Sequence, residues 1–421
     1  MNKWFKLDNA AKLFPSVASV KNSSVFRVSA VLTDIVDGVI LQKTVDFIYS
    51  RFPTFFVKMH RGVFWNYFDD NAEKFRVQEE TEYPCGNFTQ TENDGYFIRI
   101  LYFSHRISVE AFHSLTDGSG VIELLKTILY YYFSYTGCPI DDEGKVLLVG
   151  DGVSAEETED SFSKNDKKVP LLKYKKSGTF IIKGTPFESF GNNVITGVIS
   201  ASELNKLAKE KNATITSYLA SVLIHSIYAA KQKYTADKNP ISVCVPVNLR
   251  KAFQSKSLRN FFTVVNIDVK MDDSIRFEAI IEAAGAQLKS KTEKSALQER
   301  ISYNMKFESG AIKKFAPLFL KKLFIMIGFR FMGGQTVSLS NLGNIAVPSG
   351  FASKLNLMEC ILYPMPKSPV VCGVCSVNDR LAISFSRTVQ ESDIIQTFFN
   401  YLTDNSGLKL SVYSNDWGIL R

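Results

Sequence analysis

Three residues in the segment 106–120 have the types and the spacing that proton-transfer chemistry uses. His113 is followed by Asp117 and Gly118, which makes an H-x-x-x-D-G sequence. A histidine changes charge near neutral pH, so its neutral ring can take a proton from a hydroxyl or an amine and later return it to a leaving group. His113 is therefore the candidate general base. A structural histidine beside an ordinary Asp-Gly turn would give the same sequence, and the motif alone leaves both interpretations open.

The residues around His113 predict a strand before it and a helix after it. Ile107, Val109 and Ala111 lie at alternate positions, the period of a strand. Turn-forming residues then fill 114–118, and apolar residues recur at helical spacing from position 121 onward. The preceding segment, 96–103, predicts a hairpin with this strand. A base at the end of a strand rests on rigid scaffolding, as a proton-transfer group requires.

The H-x-x-x-D-G sequence resembles the motif of the coenzyme A-dependent acyltransferase superfamily. This superfamily includes chloramphenicol acetyltransferases, plant acyltransferases, condensation domains and alcohol acetyltransferases. The resemblance implies an α/β fold, in which two chloramphenicol acetyltransferase-like α+β sandwich lobes enclose a tunnel at their junction. It further implies that His113 is the general base. Asp117 would hold the loop by pairing with an arginine without touching the substrate, and Gly118 would support the same loop.

A second segment with a superfamily resemblance ends at Arg250. The sequence VPVNLR at 245–250 is similar to a stretch of acyltransferases and condensation domains in which an arginine follows a Pro-Val strand. The resemblance implies that Arg250 forms a two-pronged salt bridge with Asp117 from the other lobe. A solvent-facing arginine at a strand end is the alternative.

A third segment, SLSNLG at 338–343, resembles the S-N-x-G segment of alcohol acetyltransferases and wax ester synthases. The D-F-G-W-G sequence that plant acyltransferases carry there is absent. Ser338, Ser340 and Asn341 are candidates to donate hydrogen bonds to the oxyanion of acyl transfer, or to line the tunnel. The plain strand-to-turn pattern favours a structural role at the junction of the lobes.

Length and composition predict two domains. The chain has 421 residues, of which 45% are hydrophobic, and can bury substantial cores. Between 150 and 191 a run of acidic residues is followed by lysines and scattered Gly and Pro, which is typical of a connection between domains. We predict an N-terminal lobe at 1–150 that carries the motif, a crossover linker at 151–191 and a C-terminal lobe at 192–421.

The two halves of the chain also contain similar segments. RISVEAFH at 106–113 aligns with RLAISFSR at 380–387, and each is followed by a polar turn and a predicted helix. Each of these strands is predicted to be the second arm of a hairpin. The alignment places Arg387 opposite His113.

The net charge and the motifs limit the classes of ligand and partner that the sequence predicts. The net charge of +8 is a mild basic bias that suits a polyanionic ligand such as coenzyme A. No nucleic-acid motif accompanies it, so nucleic acid is not an expected partner. No Walker lysine motif, dinucleotide glycine fingerprint or G-x-S-x-G sequence occurs. We expect no metal and no permanently bound cofactor, with acyl-CoA acting as a substrate.

The cysteines predict a reducing compartment, the cytoplasm. The six cysteines are scattered, and the lone C-x-x-C at Cys372 and Cys375 lies in a strand-like run. Residues three apart in a strand point to opposite faces, which argues against a shared metal or a redox pair. The first 15 residues show no apolar core of a signal sequence.

The longest apolar stretch, 315–332, is interrupted by Lys321, Lys322 and Arg330 and is not expected to span a bilayer. A helix packed over the junction of the lobes is favoured over an amphipathic helix on a membrane surface.

The sequence therefore predicts an acyl-CoA-dependent O- or N-acyltransferase that uses no covalent enzyme intermediate. The acceptor is a small alcohol or amine. A single histidine at the motif favours the alcohol acetyltransferase branch, because condensation domains usually begin their motif with two histidines. The alternatives are a condensation-type transferase with a carrier-protein-bound donor and a non-catalytic scaffold of the same fold. Acyl length, acceptor identity and oligomeric state stay open.

Overall fold

The computed structural model describes residues 4–88, 93–169, 178–188, 191–232, 237–272, 274–309, 316–331 and 334–415. The strands are β1 (Phe5–Lys6), β2 (Val25–Leu32), β3 (Val57–His60), β4 (Tyr67–Asp70), β5 (Gln78–Glu79), β6 (Ile98–Phe103), β7 (Arg106–Phe112), β8 (Asn193–Ser200), β9 (Ile241–Asn248), β10 (Phe262–Val269), β11 (Val337–Asn344), β12 (Leu355–Leu362), β13 (Val370–Val377), β14 (Arg380–Arg387) and β15 (Ser411–Ser414). The helices are α1 (Phe14–Val17), α2 (Gly38–Ile48), α3 (Gly118–Tyr135), α4 (Ala155–Thr158), α5 (Ser161–Asn165), α6 (Ala201–Glu210), α7 (Ile215–Gln232), α8 (Arg250–Phe253), α9 (Phe277–Lys291), α10 (Lys294–Ser309), α11 (Leu318–Phe331) and α12 (Asp393–Asp404).

The N-terminal lobe is built on a five-stranded sheet with the order β12-β2-β7-β6-β5. The predicted hairpin before His113 is confirmed, because β6 and β7 pair antiparallel with Phe103 opposite Arg106. Apolar side chains of β2 and β7 share a buried core with the apolar face of α3. That packing fixes the end of β7 relative to the start of α3.

The C-terminal lobe is built on a seven-stranded sheet with the order β10-β9-β11-β13-β14-β8-β15. A second core joins this sheet to α6, α7, α9 and α12. The second predicted hairpin is also confirmed, with β13 and β14 paired antiparallel along their whole length. A small third sheet has the order β1-β4-β3.

One strand from the C-terminal part of the chain completes the N-terminal sheet. The chain of β12 lies between C-terminal strands in sequence, yet β12 pairs with β2 at the edge of the N-terminal sheet. It stacks on β13, where a Cβ on Gly373 would lie 2.1 Å from the Cys360 carbonyl oxygen. Only glycine permits that approach. The predicted division at 1–150, 151–191 and 192–421 stays a prediction.

The two cysteines of the C-x-x-C sequence point to opposite faces of β13, as predicted. Cys372 is buried in the core of the C-terminal lobe, and Cys375 is buried in the core of the N-terminal lobe. The pair is therefore part of two separate hydrophobic cores. This geometry argues against a redox pair and against a shared metal site.

The first half of the predicted linker is anchored to both lobes. Arg51 of the N-terminal lobe donates two hydrogen bonds to the Glu157 carboxylate, and the Leu258 amide of the C-terminal lobe donates to the Glu157 carbonyl at 2.8 Å. The linker residues 170–177 and 189–190 lie outside the described residues.

The apolar stretch 315–332 contains α11, which packs against α1. Its ends, 315 and 332, lie outside the described residues, and Phe319 and Phe324 are exposed to solvent. In the described part of the chain, no single helix is long and apolar enough to cross a bilayer. By length and composition alone, α6 and α7 could do so only as a pair that bends by 80°.

Candidate active site at the lobe junction

His113 directly follows β7, and its amide donates a 2.9 Å hydrogen bond to the Ser24 carbonyl before β2. Three aromatic rings surround the imidazole. The ring centroids of Phe14 and Phe26 lie 4.7 and 4.6 Å away, and that of Phe262, from the C-terminal lobe, lies 5.4 Å away. The histidine is partly exposed and lies between the lobes.

The aromatic surroundings of His113 favour its neutral form. Burial lowers the pKa of His113, because an imidazolium loses hydration there. The Asp117 carboxylate and the Asn260 side chain oppose that shift by favouring the charged ring. The net direction is downward, so the ring is neutral and able to accept a proton at neutral pH.

The Asp117 carboxylate is hydrogen-bonded by backbone amides and by an arginine. As the N-cap of α3, its Oδ1 accepts hydrogen bonds from the Ser119 and Gly120 amides at 3.1 and 3.3 Å. Its Oδ2 also accepts from the Phe261 amide at 2.9 Å. A buried carboxylate with this many donors is fixed in place and has a positional role.

Arg250 completes this arrangement from the C-terminal lobe. Its Nη1 and Nη2 donate to the two Asp117 carboxylate oxygens at 2.8 and 3.0 Å, which is the two-pronged contact that the resemblance implied. The same guanidinium donates to the Ser257 and Arg259 carbonyls at 2.7 and 2.5 Å. One arginine therefore joins the histidine loop to the loop that precedes β10.

Two glycines let the lobes approach at this loop. A Cβ on Gly118 would lie 2.7 Å from a methyl carbon of Leu342, and a Cβ on Gly120 would lie 2.3 Å from the Leu258 carbonyl oxygen. Both neighbours belong to the C-terminal lobe. Sequence reasoning assigned no role to Gly120, although its place two residues after the motif was visible.

The segment that contains Ser338, Ser340 and Asn341 forms most of β11. The Ser338 hydroxyl donates to the Cys244 carbonyl at 3.4 Å, and the Asn341 amide donates to the Thr216 hydroxyl at 3.0 Å. These contacts lie within the C-terminal lobe. Leu342 brings the end of the segment against Gly118, so the strand reaches the motif through an apolar side chain.

A groove of about 1150 Å³ opens in the C-terminal lobe beside the motif. It runs between the N-terminal end of α7, the side of α9 and the end of β9, and Asn341 lines it. Asn248, also in its wall, donates a 2.8 Å hydrogen bond to the Ser119 hydroxyl. The groove therefore ends at the loop that follows His113.

Asn260 is the functional candidate that sequence reasoning missed. Its Nδ2 donates to the His113 carbonyl at 2.9 Å, and its Oδ1 lies 3.4 Å from Nδ1 of the imidazole. The sequence offered only an asparagine before a strand, and the two residues are 147 positions apart. No feature of the sequence near either residue indicates that Asn260 and His113 are in contact.

The other three histidines lie apart from this site. His60 stacks on Tyr67, His225 lies among aromatic rings near α9, and His105 occupies the turn between β6 and β7. The described residues contain no group of three or more His, Cys, Asp or Glu side chains that could hold a metal ion.

Comparison with solved structures identifies the fold. The chain resembles the starter condensation domain of rhizomide synthetase RzmA in complex with C8-CoA (TM-score 0.60, 10% identity, 96% of this chain and 95% of that one). It also resembles F. graminearum TRI101 in complex with coenzyme A and T-2 mycotoxin (TM-score 0.59, 11% identity, 94% and 96%).

Polyketide synthase associated protein 5 from Mycobacterium tuberculosis is a further match (TM-score 0.58, 12% identity, 95% and 97%). No sequence-family model and no curated protein sequence matches the chain. The chain thus has the two-lobe fold of condensation domains and coenzyme A-dependent acetyltransferases, and the predicted architecture is confirmed. At these identities the likeness establishes the fold alone.

Proposed function

We propose that this protein is an acyltransferase that moves an acyl group from acyl-CoA to an alcohol or amine. The observation that carries the proposal is the placement of His113. A neutral histidine ends a strand between the lobes, and the pair of Asp117 and Arg250 fixes its loop. The site therefore contains a rigid, desolvated base at the place where two substrates can meet.

The chemistry needs no covalent enzyme intermediate. Nε2 of His113 removes the proton of the acceptor hydroxyl or amine as its oxygen or nitrogen attacks the thioester carbonyl. A tetrahedral oxyanion forms, the carbon–sulfur bond then breaks, and the imidazolium returns the proton to the departing thiolate. The products are an ester or amide and free coenzyme A.

The groove of the C-terminal lobe is the proposed donor site. Lys211 and Lys289 line it and are the candidates to bind phosphates of coenzyme A. Glu210, Glu278 and Glu282 line the same groove, and Lys211 lies 3.8 Å from Glu278. The groove ends beside Ser119, six residues after the histidine in the chain. Complexes of RzmA and TRI101 with coenzyme A compounds support a donor of this kind.

The oxyanion donors are proposed to come from Ser338, Ser340 or Asn341, or these residues line the acyl tunnel. The hydroxyl of Ser338 and the amide of Asn341 already donate within the C-terminal lobe. Ser340 is therefore the strongest candidate of the three. Such donors usually provide the largest single contribution to acyl transfer.

Three finer features belong to the same proposal. The single histidine of the motif favours the alcohol acetyltransferase branch. The six free thiols, five of them buried, suit a reducing compartment such as the cytoplasm. A bound cofactor is not part of the mechanism, and acyl-CoA is consumed as a substrate.

A condensation-type transferase is the second candidate, because condensation domains share the fold. Its acyl donor would be bound to a carrier protein. Assaying free acyl-CoA against an acyl-carrier protein with the same acyl chain separates the two functions. A non-catalytic scaffold would use neither donor.

The test of the proposal is release of free thiol from acyl-CoAs of graded chain length with a panel of alcohols and amines. His113→Ala should lower turnover by roughly 10²–10⁴-fold, the usual effect of losing a general base. The KM for acyl-CoA should barely change. His105→Ala, at the exposed hairpin turn, is the matched control and should keep full activity. Full turnover by His113→Ala would reject the mechanism.

The pH dependence of the rate gives an independent check. Only the neutral ring accepts a proton, so the rate should rise with pH through the pKa of His113. Burial lowers that pKa, so the rise should occur below the value of about 6.5 that is usual for histidine. His113→Ala should lose this step. A rise near pH 8 would contradict the assignment.

A further inference from the structure

A buried carboxylate lies behind the histidine and takes no part in the mechanism described above. Asp8 precedes α1 and is fully buried. Its Oδ1 accepts a 2.8 Å hydrogen bond from the Ala11 amide. The only cation recorded beside it among the described residues is Arg259, 3.8 Å from Oδ2.

The environment of Asp8 does not favour a charge. Burial raises the pKa of Asp8 to about 6, against the opposing effect of Arg259, and the nearby Asp160 carboxylate raises it further. A buried carboxylate with so little compensation destabilises the fold. Groups that break such a rule occur most often at functional sites.

Asn260 connects Asp8 to the histidine. The two hydrogens of its Nδ2 are directed to the His113 carbonyl at 2.9 Å and to Oδ2 of Asp8 at 3.4 Å. Above a pH of about 6 Asp8 is ionised, so both partners are acceptors. The amide orientation is then fixed, because a flipped carboxamide would bring oxygen against oxygen. The Oδ1 atom must then face the imidazole.

This orientation determines which ring nitrogen carries the proton. A carboxamide oxygen can only accept a hydrogen bond, so the 3.4 Å contact between Oδ1 of Asn260 and Nδ1 of His113 requires a protonated Nδ1. The backbone of His113 and of Thr116 also hydrogen-bonds the ring, and Asn260 is the side chain that acts beside them. The other nitrogen, Nε2, is then the one with a free lone pair. A general base needs its lone pair on the nitrogen that meets the substrate.

We propose that Asp8 and Asn260 form a positioning pair that holds His113 in the tautomer with Nδ1 protonated and Nε2 free. Asp8 orients the Asn260 amide, and Asn260 orients the imidazole. When His113 takes up a proton during turnover, the buried Asp8 anion stabilises the imidazolium through the same amide. The catalytic value of this pair rests on the proposed function, but the tautomer itself does not.

Nitrogen NMR of the full-length protein with ¹⁵N-labelled histidine tests the tautomer without any assay of activity. The chain has four histidines, so His113→Ala assigns the resonance by its disappearance. We expect the wild-type His113 signals to show a protonated Nδ1. In Asn260→Ala the population should shift toward protonation at Nε2. An unchanged tautomer in that variant would overturn the proposal.

Asp8→Asn tests the carboxylate with a side chain of the same shape, and it keeps the proposal testable if Asn260→Ala does not fold. Loss of the anion should lower the NMR-measured pKa of His113. It should also lower kcat by roughly 10–100-fold, the usual effect of losing an outer partner, with an unchanged KM for acyl-CoA. Asp34→Asn, the same substitution at an exposed carboxylate, is the matched control and should leave both quantities unchanged.

The outcomes separate this proposal from the proposed function. If His113→Ala is fully active while the tautomer depends on Asn260, the proposed function fails and the positioning pair stands. If His113→Ala is inactive while Asp8→Asn changes neither the pKa of His113 nor kcat, the role of Asp8 is rejected and the proposed function stands.

Discussion

The ends of β7 and β14 occupy equivalent places in the two lobes. Each strand is the second arm of a hairpin and pairs antiparallel with the first long strand of its lobe, β2 or β8. Each is followed by a turn and a helix, α3 or α12. His113 follows the first of these strands, and Arg387 ends the second.

The two ends differ in what surrounds the side chain. Arg387 is 6% exposed, and its guanidinium donates to Asn193 at 2.8 Å and to the carbonyls of Val389 and Gln390. It binds together the turn that follows its own strand. His113 is only half-buried and lies between aromatic side chains. Equivalent positions therefore hold a buried arginine in the C-terminal lobe and a half-buried histidine in the N-terminal lobe. We call the position of Arg387 the filled end and the position of His113 the accessible end.

The helices that follow also begin differently. Asp117 caps α3 and is tied to Arg250 of the opposite lobe, whereas Ser392 at the start of α12 makes no capping side-chain hydrogen bond. The accessible end therefore depends on support from the other lobe. The filled end supports itself through Arg387.

The largest expected effect on stability is at the accessible end. Asp117→Asn leaves Arg250 without its anion, and breaking a buried pair typically costs about 3–5 kcal/mol. The free energy of unfolding from urea titration should fall by that amount. Asp34→Asn, at an exposed carboxylate, is the control and should change little. An unchanged stability with an altered pH–rate profile would show that Asp117 acts in proton transfer instead.

The buried Asp8 behind the accessible end should make stability depend on pH. The pKa of Asp8 in the folded protein, about 6, lies above the ordinary value of an aspartate. The stability that Asp8 contributes is therefore fully present below pH ~4 and is lost as pH rises through 6. The loss is up to about 3 kcal/mol, since one pKa unit is about 1.4 kcal/mol. Urea titrations of the wild type should give a lower free energy of unfolding at pH 8 than at pH 4. This difference should be absent in Asp8→Asn. An equal drop in both proteins would contradict this origin.

The smallest effect is expected at the filled end. Arg387→Met removes hydrogen bonds of a charged group, but it also removes the cost of burying that charge, and the methionine stem keeps part of the packing. We expect a net loss of about 2 kcal/mol in unfolding free energy, with unchanged kcat per folded molecule. A variant that keeps its stability but loses turnover would show that Arg387 takes part in chemistry, and the contrast between the two ends would fail.

The sequence by itself determined the local structure around His113. Alternating apolar residues, a run of turn formers and a helical repeat are all properties of neighbouring residues, and they predicted β7, its hairpin with β6 and the start of α3. The motif resemblance then supplied the two-lobe architecture and the pairing of Arg250 with Asp117, a contact that spacing alone does not predict.

Only the tertiary structure decided which distant residues complete the site. Asn260 lies 147 positions from His113, and Asp8 lies 252 positions from Asn260. Packing between the lobes likewise determines that β12 pairs with β2 in the N-terminal sheet. It also determines that the Leu258 carbonyl lies close against Gly120. Periodicity reports which face of an element is buried. It does not report which element covers that face, because the partner is chosen by packing across the whole chain.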